Sequence, residues 1–236
     1  MKNIKYLFLI LLIIFPFLSS CVVTEDLTIN DDESGNSQIA ISVEDFFITV
    51  LNDFSEFSSD ATDKPIMDLA IDDTANKLTE NETTTNVLFT KVGKNSYEGS
   101  FDFSSLSTLI SDLGETENQT VLTLSDNTLK FYLDLDNYYQ LTKAIPFLSD
   151  PNFEPFGPEY NEGLSADDYL EMISFMLGEE GPDAIRNSII TLNFETPQPI
   201  KTYKGGTKVS STEFTYSFPL IDFLLLAEPL EFTLTW

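Results

Sequence analysis

The sequence predicts an α+β fold, with a mainly antiparallel sheet of hairpins, each followed by a helix, and the helices packed on one sheet face. Two observations carry this prediction. Short segments in which apolar and polar residues alternate flank turns that contain Gly, Asn or Asp, which is typical of β-hairpins. Each of the first three hairpins is followed by apolar residues at helical spacing. This recurrence favours layers of sheet and helix around one core.

The first unit has strands around Leu27 and Ile41, joined by the polar loop 31–36. Asp, Asn and Gly favour turns, so the loop is expected to reverse the chain. Ser42 is expected to cap the helix that follows, because it precedes an apolar helical face. A second helix is expected after Asp63, since a proline falls in its first turn.

The second and third units repeat this order. The second turns at 93–95 and continues into a helix that Ser104 and Ser105 cap and Gly114 ends. The third turns at 126–127 and leads to a helix around 137–145. Their similarity lies in the pattern and not in residue identity, so we interpret it as architecture and not as a sequence repeat.

The remaining chain starts with an irregular segment, 146–164. Ser165 and Asp168 then form a capping box for a helix that ends at Gly178. A short turn is expected at 181–183. Three further strands are expected around Leu192, Tyr216 and Leu234, with a polar loop at 197–212 that turns at Gly205-Gly206.

The chain begins with a charged and then apolar segment that ends at its one cysteine. Lys2 and Lys5 precede the uncharged run 6–17, which is shorter than the about 20 residues of a membrane-spanning helix. Leu18-Ser19-Ser20-Cys21 follows. This segment resembles the type II signal peptides of bacterial lipoproteins, which implies cleavage before Cys21 and attachment of a diacylglycerol and an N-acyl chain to Cys21. The alternative is an ordinary secretory peptide with a chance cysteine.

This resemblance predicts three parts: a cleaved signal peptide at 1–20, a short lipidated tether at 21–25, and a single envelope domain at 26–236. Five tether residues span at most about 17 Å, so the domain is expected to lie against the lipid head groups. Val22 and Val23 after the cysteine favour the outer membrane, by analogy with the enterobacterial sorting rule. Apart from the covalent lipid, we expect no cofactor.

Composition excludes several function classes. The chain has 12 basic and 39 acidic residues, and loss of the two signal lysines changes its formal net charge from −27 to −29. This charge argues against nucleic acid and against docking on anionic lipids. The chain has no histidine, and its one thiol is expected to carry the anchor. We therefore expect a non-enzymatic protein whose partners are the membrane and a lipid or an envelope protein.

Two acidic clusters are candidate cation sites. The segment 30–35 resembles a calcium loop, but Ile41 stands where an EF-hand requires Glu, and a hairpin turn explains the same residues. Asp72-Asp73 is expected on a solvated helix face. Glycosidase chemistry needs two opposed carboxylates, and the acids of the irregular segment show no specific pattern. These are Glu154, Glu159 and Glu162. We expect neither a metal site nor a catalytic site.

The irregular segment 146–164 holds the candidate ligand-binding residues, which are aromatic and lie among prolines. They are Phe147, Phe153, Phe156 and Tyr160. Long irregular loops in compact domains often carry function, so these side chains are expected to line a groove for a lipid or a peptide. The alternative is that they attach the loop to the core.

The C-terminal segments Glu195-Thr196-Pro197, Gly205-Gly206-Thr207 and Thr215-Tyr216-Ser217-Phe218, with Trp236, resemble the closing strands of LppM-like bacterial lipoproteins. The hairpin-then-helix start also resembles uncharacterised spirochaete-type envelope lipoproteins. The LppM-like resemblance implies an α+β domain in the envelope and makes glycolipid binding a candidate activity. It supplies no catalytic motif.

Two functions remain open. The first is a membrane-anchored, non-catalytic binding module that takes a lipid or other apolar ligand in a cleft between sheet and helices. The alternative is a structural or protein-interaction lipoprotein without a small-molecule ligand. A continuous apolar cavity would favour the first function, and a fully packed core would favour the second.

Overall fold

The computed structural model describes residues 21–56, 64–114, 120–151 and 153–236. The predicted signal peptide, residues 1–20, lies outside the described residues. The described segments form eleven strands and seven helices, which confirms the α+β class. The strands are β1 Val22–Ile29, β2 Gly35–Ser42, β3 Thr84–Lys91, β4 Ser96–Phe103, β5 Leu122–Ser125, β6 Thr128–Leu133, β7 Ile189–Glu195, β8 Thr202–Lys204, β9 Thr207–Lys208, β10 Glu213–Pro219 and β11 Leu230–Thr235.

The structure describes seven helices, of which the first five occur in the predicted order and the last two are additional. They are α1 Asp45–Glu56, α2 Ile66–Glu80, α3 Leu106–Leu113, α4 Tyr138–Ala144, α5 Ala166–Leu177, α6 Gly181–Asn187 and α7 Leu220–Leu225. Two short 3₁₀ turns, Pro146–Ser149 and Glu154–Phe156, follow α4. The hairpins β1–β2, β3–β4 and β5–β6 each precede a helix, as the pattern predicts. In the described part of the chain, no helix is long and apolar enough to cross a membrane.

The strands form two sheets. The larger has seven strands in the order β3-β4-β2-β1-β7-β10-β9, and the smaller has four in the order β5-β6-β11-β8. Within the described segments, all strand pairs are antiparallel except β1 with β7. The predicted mainly antiparallel arrangement is therefore confirmed. The parallel pair places β1, near the start of the chain, at the centre of the larger sheet.

Strand β1 begins earlier than the sequence pattern indicates. Val22 already pairs with Ser42 on β2 and with Ile189 on β7, so the predicted tether residues 22–25 are strand residues. The hydrogen bonds on both sides of β1 hold this segment in the sheet. Ser42 is the last residue of β2 and its hydroxyl contacts that of Ser96 at 3.2 Å, so it does not cap α1, which begins at Asp45.

The expected helix caps at Ser105 and Ser165 are present, whereas the Ser104 hydroxyl donates to the carbonyl of Thr83 at 3.2 Å and does not cap the helix. The Ser105 hydroxyl oxygen accepts a hydrogen bond from the Thr108 amide at 3.3 Å, and Ser165 accepts one from the Asp168 amide at 3.2 Å. The predicted turn at 181–183 is wrong, because these residues begin α6. Proline is favoured in a first helical turn, and buried apolar residues further along α6 stabilise the helix against the core.

The acidic segments have local partners. In the β1–β2 loop, Asp32 Oδ1 accepts hydrogen bonds from the amide of Ser34 at 3.1 Å and from its hydroxyl at 2.6 Å, as expected for a turn. Asp72 pairs with Lys64 at the surface. Among the residues that the structure describes, no group of three or more His, Cys, Asp or Glu side chains could hold a metal ion.

The two sheets and the helices enclose two clusters of buried apolar residues. One cluster joins α2, α5 and α7 to the larger sheet through residues such as Met67, Ile173 and Leu224. The other lies between the sheets and is centred on aromatic residues such as Phe214 and Phe232. The inner faces of both sheets are therefore buried against each other.

Candidate functional site

An apolar cavity of about 300 Å³ lies between the two sheets. Its size is at the lower end of the range for small-molecule sites, about 300–1,000 Å³. The inner face of β1 contributes Val23, Glu25 and Leu27 to one wall. These three residues line one side because successive strand residues point to opposite faces of a sheet. The parallel register sets Leu192 of β7 directly beside Glu25.

The opposite wall comes from the smaller sheet and the segment after it. Phe131 and Leu133 of β6 face the cavity, and Leu141 of α4 and Leu148 of the first 3₁₀ turn close it. Ile145 also lines the cavity and is 39% exposed to solvent, so the end of α4 forms its rim. All lining residues except Glu25 and Asn193 are apolar.

Glu25 is the ionisable residue of this wall. The hydroxyl of the fully buried Ser37 donates a hydrogen bond to Glu25 Oε1 at 3.1 Å. Burial raises the pKa of the Glu25 carboxyl; the hydrogen bond from Ser37 opposes the shift, and the charge of Asp26 adds to it. Glu25 keeps some accessible surface, as expected for a residue that lines a cavity.

The raised pKa of Glu25 predicts a pH-dependent stability difference between the wild-type protein and Glu25→Gln. A raised pKa means that the fold favours the protonated acid, so ionisation destabilises the wild-type fold as pH rises above the ordinary value of 4.5. Glutamine is neutral throughout. We expect similar stabilities near pH 4 and a more stable Glu25→Gln near pH 8, measured by urea unfolding at both values. Glu98→Gln, on the exposed face of β4, is the control. A difference that does not change with pH would contradict this prediction.

The predicted binding residues of 146–164 lie outside this cavity. The rings of Phe147 and Phe153 are half-buried and contact each other at 4.9 Å between centroids. Phe156 is buried, whereas Tyr160 is 63% exposed. Phe153 and Phe156 line a smaller apolar cavity of about 50 Å³, which also contacts Phe47.

Hydrogen bonds attach this segment to its surroundings. The Tyr169 hydroxyl donates to the carbonyl of Phe156 at 2.9 Å, and the Asn161 amide donates to the carbonyl of Gly157 at 2.7 Å. Leu148 of the same segment reaches the larger cavity. Ligand binding by Phe147, Phe153, Phe156 and Tyr160 stays a prediction.

Sequence reasoning missed Glu25. With the first strand expected to start near Asp26, the acid fell in the predicted tether. The signal was nevertheless present, because Val23, Glu25 and Leu27 alternate with polar residues on an otherwise apolar strand face. An acid at an inward-facing position of such a strand is a candidate functional residue.

Cys21 directly precedes the first residue of β1, and two hydrogen bonds of its backbone attach it to the rest of the domain. Its backbone amide donates a hydrogen bond to the Ser188 hydroxyl at 3.0 Å, and its carbonyl accepts one from the amide of Ile189 at 3.2 Å. Burial raises the pKa of the Cys21 thiol. The chain is therefore fixed to the sheet from the predicted lipidation residue onward. Lipidation itself stays a prediction.

Comparisons with known proteins found one weak structural similarity and no match in sequence. No family model matches the chain. No curated protein matches it either. The structure is weakly similar to the NMR structure of the folded domain of LppM from Mycobacterium tuberculosis, with a TM-score of 0.38 and 10% sequence identity. The similarity covers 91% of this chain and 87% of that chain. At this level it defines no family for the chain.

Proposed function

We propose that the protein is a lipid-anchored envelope lipoprotein whose domain binds a lipid or another apolar ligand without catalysing a reaction. The observation that carries this proposal is the apolar cavity between the sheets. Protein interiors are normally packed at crystal-like density, so a space of this size has a cost in lost contacts. An apolar ligand would restore those contacts, which supports a binding role.

The position of Cys21 supports the anchor. Val23 lies on the cavity wall two residues after Cys21, which is about 7 Å along an extended strand. An anchor on Cys21 would hold the cavity close to the bilayer, where apolar ligands are abundant. An N-acyl chain converts the Cys21 amine into an amide, which keeps one N–H for the Ser188 hydroxyl. The outer membrane remains the proposed location, because Val22 and Val23 follow the cysteine.

Absence of catalysis is part of the proposal because the chain has no histidine. Without histidine, the common Ser-His and Cys-His nucleophile pairs cannot form. The remaining acids form no specific pair in the sequence pattern. A carboxylate in an apolar cavity also suits recognition of a ligand head group.

The alternative is a structural or protein-interaction lipoprotein. One observation favours it: the outer face of the larger sheet is polar and carries shallow grooves of about 550 and 350 Å³. Asp26, Glu98 and Thr215 are among the residues that line them. A protein partner would use this face and would leave the cavity empty.

Native mass spectrometry of the full-length protein, extracted from membranes in detergent, tests the proposal. We expect the mass of a chain that starts at Cys21 and carries acyl groups, together with a non-covalent lipid adduct. Leu192→Trp adds bulk inside the cavity and is expected to remove the adduct. Thr191→Trp is the matched control, because the neighbouring strand residue points to the opposite face.

Three results would contradict parts of this proposal. A mass without acyl groups would contradict the anchor. Wild-type protein without any adduct would contradict ligand binding and favour the alternative. An adduct that persists equally in Leu192→Trp and Thr191→Trp would place the ligand outside the cavity. Circular dichroism of each variant establishes that the fold is retained.

A further inference from the structure

Glu25 occupies a position where an apolar residue would be expected. It lies on the central part of the larger sheet, between Val23 and Leu27 along β1 and beside Leu192 on β7. Burying a carboxyl among apolar side chains is unfavourable unless hydrogen bonds compensate it. A leucine or isoleucine would fill the same space without that cost. The wall compensates this burial in part, through the hydroxyl of Ser37, so a hydrogen-bond donor in the cavity would stabilise the Glu25 carboxylate further.

The hydrogen-bonding capacity of Glu25 is used in part. An ionised carboxylate has about four acceptor sites on its two oxygens. The described residues give the Glu25 side chain one hydrogen bond, from the Ser37 hydroxyl. None of the ion pairs formed by the described residues includes Glu25. Acceptor capacity thus remains available on a side chain that lines the cavity.

Asn193, the other polar residue of the lining, does not compete for this role. Its side-chain amide donates to Asp26 Oδ1 at 2.7 Å, and its carbonyl oxygen accepts from the Thr215 hydroxyl at 2.7 Å. Both partners line the groove on the outer face of the larger sheet. The Asn193 side chain therefore belongs to the outer face, and Glu25 is the polar side chain that faces the interior space.

Charge decides which head group fits Glu25. The chain has a formal net charge of −27, and Asp26 lies next to Glu25 in the sequence. An anionic head group would meet like charge from an ionised Glu25 in a medium that screens it poorly, so it would favour only the protonated acid. A hydroxyl or an amine would instead donate a hydrogen bond to the free acceptor sites of Glu25, and a protonated amine would add charge attraction.

We propose that the cavity binds an amphiphile whose apolar chain packs between the two sheets and whose head donates a hydrogen bond from a hydroxyl or an amine to Glu25. This proposal rests on the proposed binding function and adds the class of ligand. It excludes fatty acids and other amphiphiles with an anionic head as preferred ligands. The hydrogen bond from Ser37 holds the Glu25 carboxyl at the cavity wall. The head group of the ligand therefore meets this carboxyl at a defined position.

Three probes with the same ten-carbon chain test the proposal: decan-1-ol, decylamine and decanoate. Each is added to the detergent-solubilised full-length protein at pH 7.5, and the melting temperature is followed by circular dichroism. A ligand that binds the folded state raises this temperature with concentration, which yields an apparent affinity. The same titrations of Leu192→Trp in the same detergent are the control. Any shift in the melting temperature of this variant comes from the micelle or from binding outside the cavity, and it is subtracted from the wild-type shift.

In the wild-type protein we expect decan-1-ol and decylamine to bind at least about tenfold more tightly than decanoate, as the loss of one charge-assisted hydrogen bond implies. Glu25→Gln is nearly isosteric and neutral, and its amide also donates. The decylamine-to-decanoate ratio is therefore expected to fall to within about threefold in this variant.

The outcomes separate this proposal from the proposed function. If the three probes bind the wild-type protein equally, or decanoate binds most tightly, the ligand class is wrong and the binding function stands. If no probe raises the melting temperature above its effect on Leu192→Trp, the binding function itself is wrong. An unchanged ratio in Glu25→Gln also overturns the role of Glu25. The wild-type ranking decides the ligand class if that variant does not fold.

Discussion

Replacing Phe232 by alanine is expected to lower the free energy of unfolding by about 3–5 kcal/mol, the usual range for a fully buried phenylalanine. Phe232 lies on β11 and is 1% exposed. Its ring contacts that of Phe131 in the smaller sheet at 5.7 Å between centroids. It also contacts three rings of the larger sheet, at 4.9 to 5.4 Å. These are Phe194, Phe214 and Tyr216.

The expected loss is near the upper end of the range for two reasons. Aromatic pairs contribute beyond the area that they bury, by about 0.5–1.5 kcal/mol each. In addition, the neighbours of Phe232 belong to both sheets, so they cannot close the gap without moving one sheet against the other. The free energy of unfolding is measured from urea titrations of the wild-type protein and the variant.

Phe175→Ala is the matched control, because Phe175 is 83% exposed on α5. The same deletion at this position is expected to change the free energy of unfolding by less than about 0.5 kcal/mol. If both variants lost similar stability, the aromatic cluster would not hold the two sheets together. A cost below about 1 kcal/mol for Phe232→Ala would contradict close packing of the rings around Phe232.

Local elements were predictable because their signals are local. The Asp126-Asn127 turn predicted the β5–β6 hairpin, and both residues have positive φ, at 50° and 56°. Short asparagine and aspartate side chains tolerate this conformation, and it matches the twist of a two-residue hairpin. The caps at Ser105 and Ser165 likewise depend on residues three positions apart.

Strand pairing was not predictable in the same way. Period-2 alternation shows which side of a strand is buried, but it does not show which strand lies beside it. The pairing of β1 with β7 joins residues such as Val22 and Ile189, which are far apart in the sequence. Two very short strands, β8 and β9, fell in the predicted polar loop 197–212, because their exposed residues show no alternation.

The site was predicted less well than the fold. A cavity depends on the side-chain volumes that two sheets present to each other, and no single segment carries that information. Aromatic residues at 147, 153 and 156 predicted a groove, because large apolar side chains in a long irregular loop are typical of a binding site. The structure packs these rings against the core and against each other, while the cavity is lined mainly by aliphatic residues of strands.

Gly205 and Gly206 carry the chain from one sheet to the other. The preceding strand β8 pairs with β11 in the smaller sheet, and the following strand β9 pairs with β10 in the larger. Both glycines have positive φ, at 68° and 54°. This left-handed conformation costs a residue with a side chain about 1–2 kcal/mol. The backbone conformation alone therefore favours glycine at both positions.

Space is a second requirement at Gly206. A Cβ atom there would lie 2.5 Å from the backbone oxygen of Thr215 and 2.5 Å from the ring of Phe214. Thr215 pairs with Thr207 across β10 and β9, so its backbone cannot move away without breaking that ladder. Overpacking of this kind typically costs about 1–3 kcal/mol, in addition to the conformational cost.

Gly206→Ala is therefore expected to lower the free energy of unfolding by about 2–5 kcal/mol, the sum of the two effects. Gly163→Ala separates them, because Gly163 has a φ of 79° and no heavy atom within 4 Å of the added Cβ. This control is expected to lose about 1–2 kcal/mol, from the backbone conformation alone. Urea unfolding of both variants measures the difference. Equal losses would show that the added Cβ at Gly206 is accommodated without a steric cost, whereas a larger loss at Gly206 shows that the close approach of Phe214 and Thr215 restricts this position.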